Sequence, residues 1–213
     1  MGLHMQKKLK FIDLFAGIGG MRLAFEGNDA VCVFSSEWDK FCKQTYYANF
    51  GEVPEGDITQ IDEKSIPDHD ILLAGFPCQP FSNIGRREGF AHETQGTLFF
   101  DVLRILTYKK PSAFLLENVP GLLTIQKGKT FQVIKDSLEQ INYKVSYKVL
   151  DAADFGLPQV RKRVYIVGFR TDLEIDNFVF PEGTETKAYI KDYLEDDPVG
   201  YSISKKTQEN YLF

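Results

Sequence analysis

The sequence predicts an α/β fold: a mostly parallel sheet flanked by helices, with a late antiparallel strand pair. Two observations support this prediction. Short apolar and β-branched runs alternate along the chain with helical segments of roughly 10–15 residues, which is typical of βαβ units. Polar side chains of catalytic type stand where the predicted strands end, and ligands bind at that edge in such sheets.

The first predicted strand, 9–15, is apolar and ends at a glycine-rich turn, which lets the backbone reverse into a helix. Asp39 is a suitable N-cap for the second helix. The last two strands follow each other with no helix between them, so they form the late pair. The predicted strands are 9–15, 30–35, 70–74, 113–116, 143–150 and 164–169. The predicted helices are 21–26, 39–50, 97–108 and 130–141.

Composition predicts one globular domain, since 43% of the 213 residues are apolar and 26% are charged. Residues 6–180 are expected to form it, preceded by a tag remnant at 1–5 and followed by a polar tail at 181–213. The net charge of -5 argues against a surface that wraps nucleic acid on all sides, although a local basic face remains compatible with it. No apolar run approaches the ~18 residues of a membrane span.

The three cysteines offer neither a disulfide framework nor metal-ligand spacing, and the histidines are scattered. We therefore expect no metal and a reducing cytoplasm. Cys32 and Cys42 are expected to be inert core residues. Cys78 differs, because it follows an apolar strand and because Pro77 restrains the backbone that leads into it. Cys78 is the candidate nucleophile, and a buried unreactive thiol is the alternative.

The glycine turn at 16–20 is the candidate cofactor site, with Ala16, Gly17, Gly19 and Gly20 allowing close backbone approach. Its spacing is not that of a pyrophosphate-binding loop, so a nucleoside cofactor without phosphates fits better. Glu37 ends the next strand, where an acid that binds ribose hydroxyls belongs. Trp38, Asp57 and Ile58 could enclose an adenine. A strand-to-helix turn that binds nothing is the alternative.

Three charged residues near strand ends complete the candidate set. Glu117 ends an apolar run and suits a proton-donating role, and a solvated strand-end acid is the alternative. Arg161 and Arg163 are two residues apart and would share one face of a strand. They could position a carboxylate or a carbonyl, unless they merely protect a sheet edge by their charge.

In this order the motifs resemble the cytosine-5 DNA methyltransferases, closest to the bacterial restriction-modification type, over about 11–180. The phrases that carry the resemblance are Asp13-Leu-Phe-Ala-Gly17, Glu37-Trp38, Pro54-Glu-Gly-Asp-Ile-Thr59, Gly75-Phe-Pro-Cys-Gln79, Glu117-Asn-Val119 and Gln159-x-Arg-x-Arg163. The resemblance implies a Rossmann-like methyltransferase fold, the cofactor S-adenosyl-methionine with S-adenosyl-homocysteine as product, and double-stranded DNA as partner.

The resemblance also implies individual roles. Phe15 would stack on the adenine, Glu37 would bind the ribose, and Leu98, Pro77 and the glycine turn would contact the cofactor. Cys78 would add to C6 of a cytosine flipped out of the duplex, while Glu117 contacts N3 and the amine. Arg163 would lie against the base carbonyl and Arg161 would brace the site. A loop from Gln79 to Gly96 would contact DNA through Gln79, Ser82, Arg86 and Arg87.

The family normally continues with a target-recognition domain, which this sequence does not contain. A second polypeptide or missing C-terminal segment is therefore the expected partner, and a cognate restriction endonuclease is a further candidate. A bacterial, nucleoid-associated cytoplasmic location follows from the resemblance. Two alternatives stay open: an RNA cytosine methyltransferase acting on tRNA, and a catalytically silent cofactor-binding subunit.

Overall fold

The computed structural model describes residues 8–77, 98–184 and 187–195. They form a six-stranded sheet with helices on both faces. The strands are β1 Lys10–Leu14, β2 Val31–Ser36, β3 Ile71–Ala74, β4 Ala113–Asn118, β5 Tyr143–Asp151 and β6 Lys162–Arg170. The helices are α1 Gly20–Glu26, α2 Lys40–Phe50, α3 Leu98–Lys109 and α4 Lys129–Gln140.

The sheet order is β2-β1-β3-β4-β6-β5. β1 pairs in parallel with β2 and with β3, and β3 pairs in parallel with β4. β6 lies between β4 and β5 and runs antiparallel to both, so the late antiparallel pair predicted from the sequence is confirmed. The carboxyl ends of β1 to β4 meet at one edge of the sheet, and the candidate residues follow those ends.

Most of the core lies on the face of the sheet that α3 and α4 cover. Alternate residues of each strand point to it, as Ile12 and Leu14 do from β1 and Phe114 and Leu116 do from β4. They pack against apolar residues of the two helices, including Phe99. Each fully buried side chain of this size contributes about 1.5–3 kcal/mol to folding, so this layer fixes the strand register.

The opposite face carries a smaller cluster of Phe11, Ala30 and Leu73, with Phe25 of α1 packed against it. Beside this cluster lies an apolar groove of about 330 Å³. The groove runs across β3, β4 and β6, and its lining includes Phe25, Leu115, Tyr165, Val167, Phe178 and Phe180.

The chain divides into two compact units. The first holds the described residues up to Leu150 together with Lys162–Pro181, and the second holds Asp151–Arg161 with the described residues from Glu182 onward. Within the ranges that the structure describes, no helix is long and apolar enough to cross a membrane.

Candidate active site

The turn between β1 and α1 forms the first wall of the candidate site. Phe15, Gly17 and Gly19 all adopt positive φ, at 56°, 55° and 91°. Gly19 has no substitute, because a Cβ there would lie 2.1 Å from the ring of Phe50. The N–H of Ala16 donates to the carbonyl of Ser36 at 3.0 Å, which ties the turn to the end of β2. Phe15 is not a glycine, so its positive φ stores backbone strain. Such strain concentrates at functional sites.

Glu37 joins this turn to the start of α2. Its Oε2 accepts the backbone N–H of Gly17 at 2.8 Å, and its Oε1 accepts that of Asp39 at 2.8 Å. The residue is only 8% exposed. Each carboxylate oxygen can accept a second hydrogen bond, so ribose hydroxyls could still bind. Trp38, by contrast, is 77% exposed and does not pack into this wall.

A short bridge brings the predicted adenine contacts to the same edge. The N–H of Glu55 donates to the carbonyl of Ser35 at 2.9 Å, and the N–H of Glu37 donates to the carbonyl of Glu55 at 3.0 Å. The chain then enters a 3₁₀ turn, Ile58–Gln60, which Asp57 caps by accepting the N–H of Thr59 at 3.0 Å. Ile58 is buried and Asp57 is exposed.

A buried polar cluster lies beneath the glycine turn. Arg22 of α1 contacts Glu26, Glu52 and the hydroxyl of Tyr46 at 3.0, 2.7 and 3.0 Å. Asp13 of β1 is 1% exposed, and burial raises its pKa to about 7. Burial also raises the pKa of the Cys32 thiol to about 11, which disfavours the reactive thiolate there.

β3 ends at Ala74 and leads to Phe76 and Pro77, the last residues described before Cys78. Phe76 is buried, and its carbonyl accepts a hydrogen bond from the side-chain amide of Asn118 at 2.8 Å. Asn118 was not predicted as a site residue. Its sequence signal is its place between Glu117 and Val119 in a motif that carries the resemblance. Cys78, Gln79, Ser82, Arg86 and Arg87 lie outside the described residues.

Glu117 and Arg163 form an ion pair across β4 and β6. Glu117 Oε1 lies 2.6 Å from Arg163 Nε, and the two side chains are 22% and 21% exposed. Glu117 Oε2 lies 3.4 Å from where a Cβ on Gly75 would be, so the carboxylate stands beside this glycine. The ion pair thus stands against the strand end that leads to Cys78.

Arg161 belongs to the second unit. β6 begins at Lys162, so Arg161 precedes the strand and only Arg163 lies within it. The side chain of Arg161 is exposed, and its backbone N–H donates to Asp151 Oδ1 at 2.9 Å. Asp151 also accepts the N–H of Ala153 at 3.2 Å, which caps the 3₁₀ turn Ala152–Phe155.

The described residues offer a nucleoside cofactor suitable hydrogen-bond acceptors and close backbone approach. Glycines admit the backbone close to a ligand, Glu37 offers a fixed carboxylate, and Leu98 begins α3 as a half-buried residue. Among the described residues, no group of three or more histidine, cysteine, aspartate or glutamate side chains is placed to hold a metal ion.

Comparison with known proteins gives consistent matches. A family model described as C-5 cytosine-specific DNA methylase matches residues 9–213. The type II methyltransferase M.BsuFI of Bacillus subtilis is 63% identical over 97% of this chain and 50% of its own length. The type II methyltransferase M.HhaI of Haemophilus parahaemolyticus is 52% identical over 89% of this chain and 58% of its own length. The chain thus spans about half the length of the curated relatives it matches.

Solved structures show the same fold. A DNMT2 mutant of Spodoptera frugiperda matches 90% of this chain and 61% of its own with a TM-score of 0.73 and 24% identity. Dnmt2 of S. pombe matches 96% and 66% with a TM-score of 0.71 and 22% identity. At that identity the likeness concerns the fold alone, and it confirms the predicted Rossmann-like methyltransferase architecture. With the family model matching nearly the whole chain, the resemblance is confirmed, and the chain belongs to the C-5 cytosine-specific DNA methylase family.

Proposed function

We propose that this chain is the catalytic and cofactor-binding part of an enzyme that methylates C5 of cytosine in double-stranded DNA, with S-adenosyl-methionine as methyl donor. One observation carries the proposal. The Glu117–Arg163 ion pair stands against Gly75, at the strand end that leads to Cys78. An acid and a cation are thereby grouped at the edge of the sheet where the glycine turn and Glu37 also lie, beside the strand end after which Cys78 follows in the sequence.

The residues of the first wall would hold the cofactor. Glu37 would accept the ribose hydroxyls, Phe15 would stack on the adenine, and Asp57 with Ile58 would bind its edge. The glycine turn, Ala16, Trp38, Pro77 and Leu98 would supply the remaining contacts. When bound, S-adenosyl-methionine supplies an electrophilic methyl group on a sulfonium, and S-adenosyl-homocysteine is the product.

The chemistry needs a nucleophile because C5 of cytosine is a weak one. The Cys78 thiolate would add to C6 of a cytosine flipped out of the duplex, since neither carbon is accessible within the stack. Glu117 would contact N3 and the exocyclic amine and so offset charge that develops on the ring. C5 then takes the methyl group, loses its proton, and the ring expels Cys78.

Arg163, which is paired with Glu117, would lie near the base carbonyl, and Arg161 would brace the site. Contacts to DNA are proposed for Gln79, Ser82, Arg86 and Arg87. Because the relatives are about twice as long as the matched region, we propose that a further polypeptide segment or subunit reads the target sequence. The net charge of -5 agrees with a basic DNA-reading part elsewhere. We further propose a bacterial cytoplasm as its location.

The test is covalent trapping. The chain is incubated with S-adenosyl-methionine and a random-sequence duplex pool that carries 5-fluorocytosine, in which fluorine replaces the proton that must leave. Intact mass is then measured with the chain alone and with the C-terminal half of a relative added. An adduct on the wild type that Cys78→Ala lacks supports the proposal.

Three results would count against the proposal. Methyl transfer by Cys78→Ala would contradict the covalent mechanism. Trapping on 5-fluorocytosine tRNA but not on duplex DNA would favour the RNA enzyme. Cofactor binding with no adduct under any of these conditions would favour a silent cofactor-binding subunit.

A further inference from the structure

Arg104 on α3 connects that helix to the 3₁₀ turn Ile58–Gln60. Its Nη2 donates to the backbone carbonyl of Ile58 at 2.6 Å, its Nη1 contacts Glu63 at 2.7 Å, and its Nε contacts Asp101 at 3.0 Å. The side chain is 29% exposed. Each of the three guanidinium nitrogens thus contacts a different acceptor.

These contacts join two elements that the proposed function assigns to the cofactor, of which the 3₁₀ turn would bind the adenine. Ile58 and Asp57 lie on the 3₁₀ turn, and Leu98 is the first residue of α3. Arg104 binds the peptide of Ile58 itself, so it fixes the backbone that presents Ile58 and the capping Asp57. Arg104 therefore ties the 3₁₀ turn to the helix that begins at Leu98.

A lysine cannot replace this arrangement. The guanidinium is planar and presents its donors in a rigid fork, whereas an ammonium is a point charge on a flexible stem. Arg104→Lys therefore keeps the charge beside Glu63 and Asp101 but cannot hold three acceptors at fixed angles. An ordinary ion pair at the surface would tolerate that change, because such pairs contribute little.

We propose that Arg104 is a positioning residue for adenine selectivity: it holds the Asp57–Ile58 turn against α3 so that the pocket distinguishes adenine from other purines. The inference rests on the proposed function, because that function places the adenine here. The inference extends the proposed function, because it names Arg104 as a residue that determines adenine selectivity without contacting the adenine.

The test compares two ligands that differ only at the purine edge, S-adenosyl-homocysteine and S-inosyl-homocysteine, by calorimetry on the full chain. The wild type should prefer the adenosyl ligand by about tenfold or more, since an unmatched buried polar group weakens binding by that order. Arg104→Lys should reduce this preference by at least about fivefold, because the peptide that presents the adenine contacts is no longer held.

Arg170→Lys is the matched control. Arg170 contacts Asp172 at 2.7 and 3.1 Å and also the carbonyl of Lys110, and it is 30% exposed. It is the last residue of β6 and lies beside the start of β4, at the end of the sheet away from the candidate site. Its substitution should alter thermal stability by a similar amount and leave the ligand preference unchanged.

Two results separate this inference from the proposed function. If the wild type binds neither ligand, the cofactor assignment fails and the inference fails with it. If the wild type prefers adenine and Arg104→Lys keeps that preference, the inference alone is overturned. Should Arg104→Lys not fold, Glu63→Gln removes one anchor of the same guanidinium and should lower the preference by about twofold to threefold; an unchanged preference there also overturns it.

Discussion

The side-chain amide of Asn118 donates to the carbonyl of Phe76 at 2.8 Å, so the end of β4 holds the segment that leads into Cys78. Asn118 is 3% exposed, and its own Oδ1 accepts the N–H of Val119 at 2.8 Å. One buried amide therefore fixes both the backbone at Phe76, two residues before the proposed nucleophile Cys78, and the end of the strand that carries Glu117.

Replacing Asn118 by aspartate tests this relationship, because aspartate keeps the shape but places an acceptor against the Phe76 carbonyl. An unmatched buried polar group costs about 1–3 kcal/mol, so we expect a loss of that size in the free energy of unfolding. We also expect slower trapping of Cys78 by the fluorinated duplex. Urea denaturation and a trapping time course measure the two effects. An unaltered trapping rate would show that the segment before Cys78 needs no such support.

The Glu117–Arg163 pair should matter for transfer and not for cofactor binding. Glu117→Gln keeps the volume but removes the charge that faces the guanidinium. Loss of one positioned electrostatic contact lowers turnover by about 10²–10³-fold, which sets the expected fall in methyl transfer. Glu139→Gln is the control, since Glu139 pairs with Lys135 at 2.8 Å on the surface of α4. Calorimetry with S-adenosyl-homocysteine should give equal affinities for both variants and the wild type; weaker binding by Glu117→Gln would place that residue in the cofactor site.

Gly19 should tolerate no side chain. Gly19→Ala combines a positive φ of 91° with a Cβ 2.1 Å from the Phe50 ring. Left-handed strain of about 1–2 kcal/mol and overpacking of about 1–3 kcal/mol together predict a loss of roughly 2–5 kcal/mol in unfolding free energy. Gly27→Ala at the other end of α1 is the control, since its φ is -62° and its nearest contact is at 3.5 Å. Thermal melting distinguishes them, and equal melting temperatures would contradict the packing argument.

Asp13 should make stability depend on pH. Burial raises its folded pKa to about 7, above the unfolded value of roughly 3.9. The native state then binds more protons than the unfolded state between these values, so the stability that Asp13 contributes falls as pH rises from about 4 to 7 and is constant above that range.

Asp13→Asn removes this titration while an oxygen remains to accept the backbone N–H of Arg22. Between pH 5 and pH 8 the wild type should lose about 2–3 kcal/mol relative to the variant. Urea denaturation at both pH values gives the difference, in which the titrations of the other groups cancel. A difference that does not change with pH would mean that Asp13 stays ionised throughout.

The succession of strands and helices along the chain and the late antiparallel pair could be predicted from the sequence because each element has its own apolar periodicity. β4 illustrates the limit of that reasoning. It was predicted to end at Leu116 but continues to Asn118, because Glu117 and Asn118 pair with Tyr165 and Val164 of β6. A polar pair after an apolar run resembles a loop when the partner strand is unknown.

The long-range side-chain contacts could not be predicted from the sequence either, because the pairing of the strands is unknown at that point. The motifs identified Glu117 and Arg163 separately, but their pairing depends on the register between two strands far apart in the chain. Arg104 lies outside every quoted motif, and the motif that contains Asn118 gave that residue no role, because each acts through a hydrogen bond to a backbone carbonyl far away in the sequence.

Glu37 has a thermodynamic consequence for any ligand that reaches it. Its carboxylate is already immobilised by the amides of Gly17 and Asp39. Ordering a flexible side chain at an interface costs about 0.5–1.5 kcal/mol of conformational entropy. The Glu37 side chain has already lost that entropy on folding, before a ligand binds. Affinity at this carboxylate therefore comes from contacts alone, and the loss of either amide contact would appear first as an entropic penalty on binding.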